Sequence, residues 1–158
     1  MTYYNSIAAG YNELHFTEQQ RKAELILNEL KLKKTDTLLD VGCGTGKITA
    51  LFPCKVQGID PAATLVKQSP VPAIVGKAES LPFADESFDV VVSLTAVHNF
   101  DNVEKGLHEI KRVAKRDVVL SILKKSNNFK KIDTLIRKTF AVRKKIDDPH
   151  DVIYFCAP

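Results

Sequence analysis

Tryptophan is absent from this 158-residue chain, methionine occurs once and cysteine three times. Cys43, Cys54 and Cys156 are odd in number and show neither a Cys-x-x-Cys pair nor Cys/His ligand spacing. They therefore read as reduced, packed thiols, and no metal site or disulfide framework is expected. No apolar run approaches the roughly 20 residues of a membrane-spanning helix, and the first residues lack a basic stretch followed by an apolar one. No membrane contact and a cytoplasmic location are the resulting expectations. Internal repeats, low-complexity segments and linkers are missing too, which removes solenoid and disordered architectures. Glycine is scarce at seven residues, yet three of them crowd into positions 42, 44 and 46.

What is present is an ordinary globular composition, 44% hydrophobic and 27% charged, with enough length for one domain and a real core. The formal net charge of +4 conceals an asymmetry. Residues 111–145 hold 13 of the 23 Lys/Arg against two acids, Asp117 and Asp133, while the preceding 110 residues are mildly acidic. A basic third on an acidic body has two readings, a polyanion contact or a set of solvated lysines on amphipathic elements.

Along the chain, Tyr3, Tyr4, Ile7, Tyr11, Leu14 and Phe16 make an aromatic N-terminal segment. Thr17-Glu18-Gln19-Gln20 has capping-box form, with Thr17 as N-cap of a helix that aligns Ala23, Ile26, Leu27 and Leu30. A turn at residues 33–36 leads into a strand ending at 37–40, and an apolar pattern from Ile48 to Phe52 begins a helix. Residues 55–60 form a second strand, with Pro61 at the first position of the next helix. Residues 73–75 form a short third strand, and the nearly continuous apolar run 88–93 a central parallel one. Asp101-x-x-Glu104 caps a helix carrying Val103, Leu107, Ile110 and Ala114. Residues 118–123 make a fifth strand, and Ser126 or Asn127 caps a helix with Phe129, Ile132 and Ile136 inward. Two strands near 140–144 and 152–156 close the pattern as a hairpin. Alternating β and α units predict a doubly wound α/β sheet, with ligands at the carboxyl ends of the strands. The ends at 40–46, 60 and 93–99 should gather at one crevice.

The core of the pattern is Asp40-x-Gly42-x-Gly44-x-Gly46, a strand passing through glycines into a helix. Glycine lets the backbone approach a ligand, and the following N–H groups face an anionic partner. The third glycine comes one residue too early for the dinucleotide fingerprint, and the lysine of a phosphate-binding loop is misplaced. Asp60 ends the second strand 18 residues after Gly42, near the spacing of about 20 expected for an acid that accepts from ribose hydroxyls.

Asp40 to Gly46 with Asp60 resembles motif I and the ribose acid of the class I S-adenosylmethionine-dependent methyltransferases. Residues 76–83 (Gly-Lys-Ala-Glu-Ser-Leu-Pro-Phe) with Asp85-x-Ser87-Phe88-Asp89 are similar to a stretch of the group that includes the ubiquinone and menaquinone biosynthesis enzymes. The resemblance implies a Rossmann-like sheet of about seven strands, mostly parallel with an antiparallel C-terminal hairpin strand. It implies one domain over 1–158: an N-terminal lid and first helix (1–34), a cofactor-binding core (35–123), and a basic helix and hairpin (124–158). The implied cofactor is S-adenosylmethionine, with S-adenosylhomocysteine as product, held by Asp40, Gly42, Gly44, Gly46, Asp60, Pro61, Ala78, Glu79, Ser93 and Tyr11. Tyr4 and Tyr11 belong to a segment that in the family closes over the cofactor, or else pack on the sheet.

Lys77 stands where the group carries an aspartate that accepts from the adenine amino group, and a lysine cannot accept a hydrogen bond. Adenine recognition then falls to backbone near Ala78, to Glu79, or to Ile59 and Leu65. The Asn/Asp-Pro-Pro-Tyr/Phe signature of amino methylation is missing from residues 95–100. His98 is the one histidine positioned to serve as a base, or it is held structurally. The glycine pair usual before the fifth strand is replaced by Ala114-Lys115-Arg116-Asp117.

The absence of inserts after the fourth and fifth strands leaves an open crevice and favours a macromolecular acceptor. RNA, contacted through 111–145, comes first. Ala96-Val97-His98 resembles the tRNA wobble-uridine methyltransferases, some of which need a small activator subunit. The alternatives are a small-molecule methyltransferase of the quinone-biosynthesis type and a non-catalytic cofactor-binding module that serves a partner.

Overall fold

A computed structural model describes the backbone from Thr2 to Pro158 and the side chains from Glu13 onward. Seven strands form one sheet: β1 (Thr37–Val41), β2 (Lys55–Asp60), β3 (Ala73–Val75), β4 (Phe88–Leu94), β5 (Ala114–Leu123), β6 (Ala141–Asp147) and β7 (Asp151–Ala157). Their order is β3-β2-β1-β4-β5-β7-β6, parallel from β3 to β5, with β7 antiparallel to both β5 and β6. The chain runs outward from β1 in one direction and from β4 in the other, so their adjacency is the switch point where a crevice opens.

Alternation along the central strands feeds two cores. Leu39, Val41, Val91, Val118 and Leu120 face α3 (Val103–Val113) and α4 (Phe129–Thr139), which bury Leu107, Ile110, Val113, Ile132 and Ile136. Leu38, Val90, Val92 and Val119 face the other side, where α1 (Thr2–Glu29) contributes Ala23 and Ile26 and the turn after β1 contributes Phe52. Two faces buried at once explain why these strands read as unbroken apolar runs.

Several boundaries differ from the sequence expectation. Thr17 does not cap a helix: α1 is continuous from residue 2, and the Thr17 hydroxyl donates to the Glu13 carbonyl one turn back. Helix-forming Ala, Glu and Gln around the box let helix propagate through it. The helix expected from Ile48 is a single 3-10 turn at Thr49–Leu51, since β2 resumes at Lys55 and leaves no room for more. Pro61 precedes rather than begins α2 (Ala63–Val66), whose N-cap is Ala62. Asn102, not Asp101, caps α3, its side chain accepting from the Lys105 N–H. Asn128, not Ser126 or Asn127, occupies the N-cap position of α4, and Ser126 hydrogen-bonds its side chain. Ala114 belongs to β5, which leaves α3 without a loop. Arg116, in place of the glycines, forks onto Asp36 at 2.9 and 3.2 Å and holds that carboxyl below its usual range.

α1 is fastened to the sheet by a buried ion pair. Lys22 and Asp151, 2% and 1% exposed, meet at 2.8 Å, and the Lys22 ammonium also donates to the Thr95 hydroxyl at 2.9 Å. Thr95 donates in turn to Asp151 at 2.7 Å. Arg21 pairs with the buried Asp148 beside it. Truncation of one buried partner strands the other charge, so Lys22→Met should cost about 3–5 kcal/mol of unfolding free energy. The double variant Lys22→Met/Asp151→Leu should recover most of that loss in urea melts; equal losses in single and double variants would rule the pair out as the fastening.

Candidate cofactor and acceptor site

β1 ends in a corner that only glycine can turn. Gly42, Gly44 and Gly46 all have positive φ, +82°, +57° and +75°. A Cβ on Gly42 would lie 2.5 Å from the Ala96 Cβ, because the loops leaving β1 and β4 abut at the switch point. A Cβ on Gly46 would lie 2.2 Å from the Ser69 Oγ. Asp60 locks the corner from β2: one carboxylate oxygen accepts from the Gly44 N–H at 2.9 Å, the other from the Ala62 N–H at 2.9 Å. Each oxygen keeps a further lone pair for a ligand hydroxyl.

Two cavities meet at Gly42. The larger, about 490 Å³, is walled by Asp40, Gly42, Gly44 and Lys47 from the corner, Leu94 and Thr95 from β4 and its exit, and Phe16 and Gln19 from α1. The smaller, about 180 Å³, is walled by Ile59, Pro61, Ala78, Glu79 and Phe100. The sequence-derived residues are thus divided. Asp40, Gly42 and Gly44 border the larger cavity, and Gly42, Pro61, Ala78 and Glu79 the smaller; Gly46 and Asp60 brace the corner between them. Ile59 and Leu65, expected to act together, fall in different cavities. Tyr11 and Tyr4 lie outside the residues whose side chains are described.

Ser93 is a correction. Its side chain is fully buried and its hydroxyl donates to the Val41 carbonyl at 2.7 Å, so it ties β4 to β1 beneath the site. Asp40, at the end of β1, is 4% exposed and accepts from Thr49 at 2.7 Å. Burial, partly opposed by that bond and reinforced by nearby Asp60, pushes its pKa up to about 6. Burial, with the charges of Asp40 and Asp60, pushes the Cys43 thiol up to about 12, which leaves it protonated and inert.

Lys77 lies at the mouth of the smaller cavity and pairs with Asp101 at 3.0 Å, both largely exposed. Glu79 accepts from the Asn102 N–H at 2.8 Å and so links that wall to the start of α3. His98 sits in a 3-10 turn (Val97–Asn99) and borders neither cavity. Its Nδ1 is buried without a partner, and burial lowers its pKa against the opposing pull of Asp151.

Sequence reasoning passed over the polar cluster behind the larger cavity. Thr95 has φ +53°, a strained value for a β-branched residue. It is held there by Ser121, whose carbonyl and hydroxyl both take its N–H at 2.9 Å, and by Lys22 and Asp151. Gln19 reaches the same hydroxyl at 3.4 Å. One signal was legible: Lys22 stands within the apolar stripe of Ala23 and Ile26, where a cation needs a partner.

Comparison with known proteins agrees with this geometry. A family model described as a methyltransferase domain matches residues 39–122, and the chain belongs to that family. S-adenosylmethionine is the family's cofactor, and the residues fit it: a glycine corner that a Cβ would fill, an acid at the end of β2, and adjoining large and small cavities. The chain is 30% identical to "Uncharacterized protein MJ1252" of Methanocaldococcus jannaschii, over 92% of this chain and 64% of that protein. It is 26% identical to human "Probable tRNA methyltransferase 9B" over 84% of this chain and 31% of that one. It is 38% identical to demethylmenaquinone methyltransferase of Chlorobaculum parvum over 49% of this chain and 36% of that one. The chain thus spans less than two thirds of each of these relatives. Among solved structures, the complex between the Haloferax volcanii Trm112 methyltransferase activator and its methyltransferase gives a TM-score of 0.78 at 18% identity, covering 95% and 94% of the two chains.

The Asp40 carboxyl gives a pH test. Its folded pKa, about 6, exceeds its ordinary 3.8, so the folded chain keeps a proton that the unfolded chain has lost. The stability this contributes is full below pH 3.8 and is lost as pH rises through 6. The melting temperature of Asp40→Asn should gain on that of the ligand-free wild type between those values and stay ahead above them. Parallel curves for the two proteins would overturn the assignment.

Proposed function

We propose that this chain transfers the methyl group of S-adenosylmethionine to an RNA acceptor, tRNA first, with a small activator subunit as partner. The observation that carries the methyl-transfer reading is the glycine corner locked by Asp60 between two cavities. The bound cofactor supplies an electrophilic methyl on a sulfonium, so the protein's part is alignment and exclusion of water. Asp60 accepts from the ribose hydroxyls, Ala78, Glu79 and Pro61 border the nucleoside end, and Gly42 and Gly44 offer backbone to the amino-acid end. Tyr11 remains the proposed closing residue. His98, neutral at pH 7 and outside both cavities, serves better as a structural support than as a base; His98→Gln should keep turnover within about threefold.

Charge and relatives support RNA. Of the basic third, Arg112, Arg116, Lys124, Arg137, Arg143 and Lys144 are spent on acidic partners. Lys115, Lys125, Lys130, Lys131 and Lys138 make no ion pair among the described residues. Lys125, Lys130 and Lys131 flank the end of β5 and the start of α4, on the side of the sheet where the strand ends open. The tRNA methyltransferase relative points the same way.

The activator reading draws on the Haloferax volcanii complex and on the two sheet edges. β6 is guarded by Arg143, Lys144 and Lys145, whereas β3 is a bare edge with Ile74 37% and Val75 55% exposed. An uncharged open edge is a template for an added strand. Among the described residues no helix is long and apolar enough to cross a membrane.

Calorimetry with S-adenosylhomocysteine tests the cofactor site: binding in the micromolar range, about −8 kcal/mol, should weaken at least tenfold in Asp60→Ala. Transfer of labelled methyl should then follow tRNA, with tRNA affinity falling steeply as salt is raised. Transfer to a quinone precursor, unaffected by salt, would favour the small-molecule alternative that the menaquinone relative represents.

A further inference from the structure

We infer that Asp101, paired with Lys77 across the mouth of the smaller cavity, accepts from the amino group of the cofactor's adenine and sets its base selectivity. The inference rests on the reading above that places the nucleoside end of the cofactor in that cavity. Two of its walls come from different strand ends: residues 76–79 follow β3, and Phe100 and Asp101 follow the 3-10 turn after β4. Ile59, Pro61, Ala78 and Phe100 give it apolar surface against which a flat ring can lie. The Phe100 ring packs on α3 where Gly106 leaves room, since a Cβ there would stand 2.5 Å from the ring Cδ2. At about 180 Å³ the cavity is smaller than the roughly 300 Å³ at which whole drug-sized ligands are held, so it takes one ring system.

Adenine carries an amino donor beside a ring-nitrogen acceptor. Reading that edge takes an acceptor and a donor side by side. Lys77 has donors only, so the acceptor must come from another residue. Two carboxylates border the cavity, Glu79 and Asp101. Glu79 is already committed, because it accepts from the Asn102 N–H at 2.8 Å and so steadies the turn that carries Asp101. The Asp101 side chain is 74% exposed, and its Oδ2 accepts from the Lys77 Nζ at 3.0 Å. That one bond leaves the ammonium two more N–H groups and the carboxylate further lone pairs. Donor and acceptor thus stand together at the mouth, each with capacity for a base. An ion pair this exposed adds little stability, so stability does not account for it. Hypoxanthine, with a carbonyl in place of the amino group, would meet the carboxylate with an acceptor and be disfavoured.

Calorimetry with S-adenosylhomocysteine and S-inosylhomocysteine, which differ in that one group, tests the assignment. The wild type should bind the adenine form about tenfold or more tightly. Asp101→Ala should close most of that gap by weakening the adenine form. Asp101→Asn, which keeps the size and can donate to a carbonyl, should close it too, in protein that melts like the wild type. Lys77→Met breaks the ion pair but leaves the acceptor, and should weaken both forms while keeping the gap. No gap in the wild type, a gap that survives in both Asp101 variants, or one that Lys77→Met closes equally, overturns the assignment. The placement of the nucleoside end still stands in those cases if Asp60→Ala weakens both forms alike. Binding of both forms by Asp60→Ala as tightly as by the wild type overturns that placement and the assignment together.

Discussion

The buried Lys22–Asp151 pair is the contact on which the working half of this molecule depends. It joins the first helix to the last strand across 129 residues of chain and lies beneath the loop that leaves β4. Two charges removed from water contribute little net stability unless their hydrogen bonds are completed. Here Thr95 completes them, in a backbone conformation a β-branched residue rarely takes. The strained threonine, the ion pair and the Ser121 contacts are therefore one arrangement. It sets where Gln19 and Phe16 stand relative to the glycine corner, and so the width of the larger cavity.

On the other side of Gly42 the controlling constraint is close approach. β1 and β4 emerge side by side at the switch point, and the loops that follow them approach at Gly42 and Ala96, where a Cβ on the glycine would not fit. Asp60 then uses both carboxylate oxygens to hold the glycines and the start of the next turn. Asp40, a short distance away and fully buried, is left reluctant to ionise.

The basic third shows how sequence charge and surface charge part company. Thirteen cations in residues 111–145 suggest a broad positive face, but six of them meet carboxylates supplied by distant or adjoining elements. Arg116, for instance, reaches Asp36 across 80 residues of chain, a pairing no local pattern reveals. Seven of the thirteen make no ion pair among the described residues, and of these Lys125, Lys130 and Lys131 flank the end of β5 and the start of α4.

Sequence alone determined the strands, the doubly wound order and the glycine corner, because each has a short-range cause. β2 and β3 fall at the expected residues, since an apolar run between turn signals has one way to lie in a parallel sheet. Gly42, Gly44, Gly46 and Asp60 were legible because backbone close to a ligand tolerates few residue types. Helix starts were less so: Thr17, Asp101 and Ser126 are all good caps, and only packing decides which candidate is used. Tertiary structure alone decided that Ser93 is a brace, that Asp40 is buried, and that Lys22, Thr95, Ser121 and Asp151 form one cluster. Those facts depend on residues brought together from opposite ends of the chain, where spacing along the sequence carries no information about distance in space.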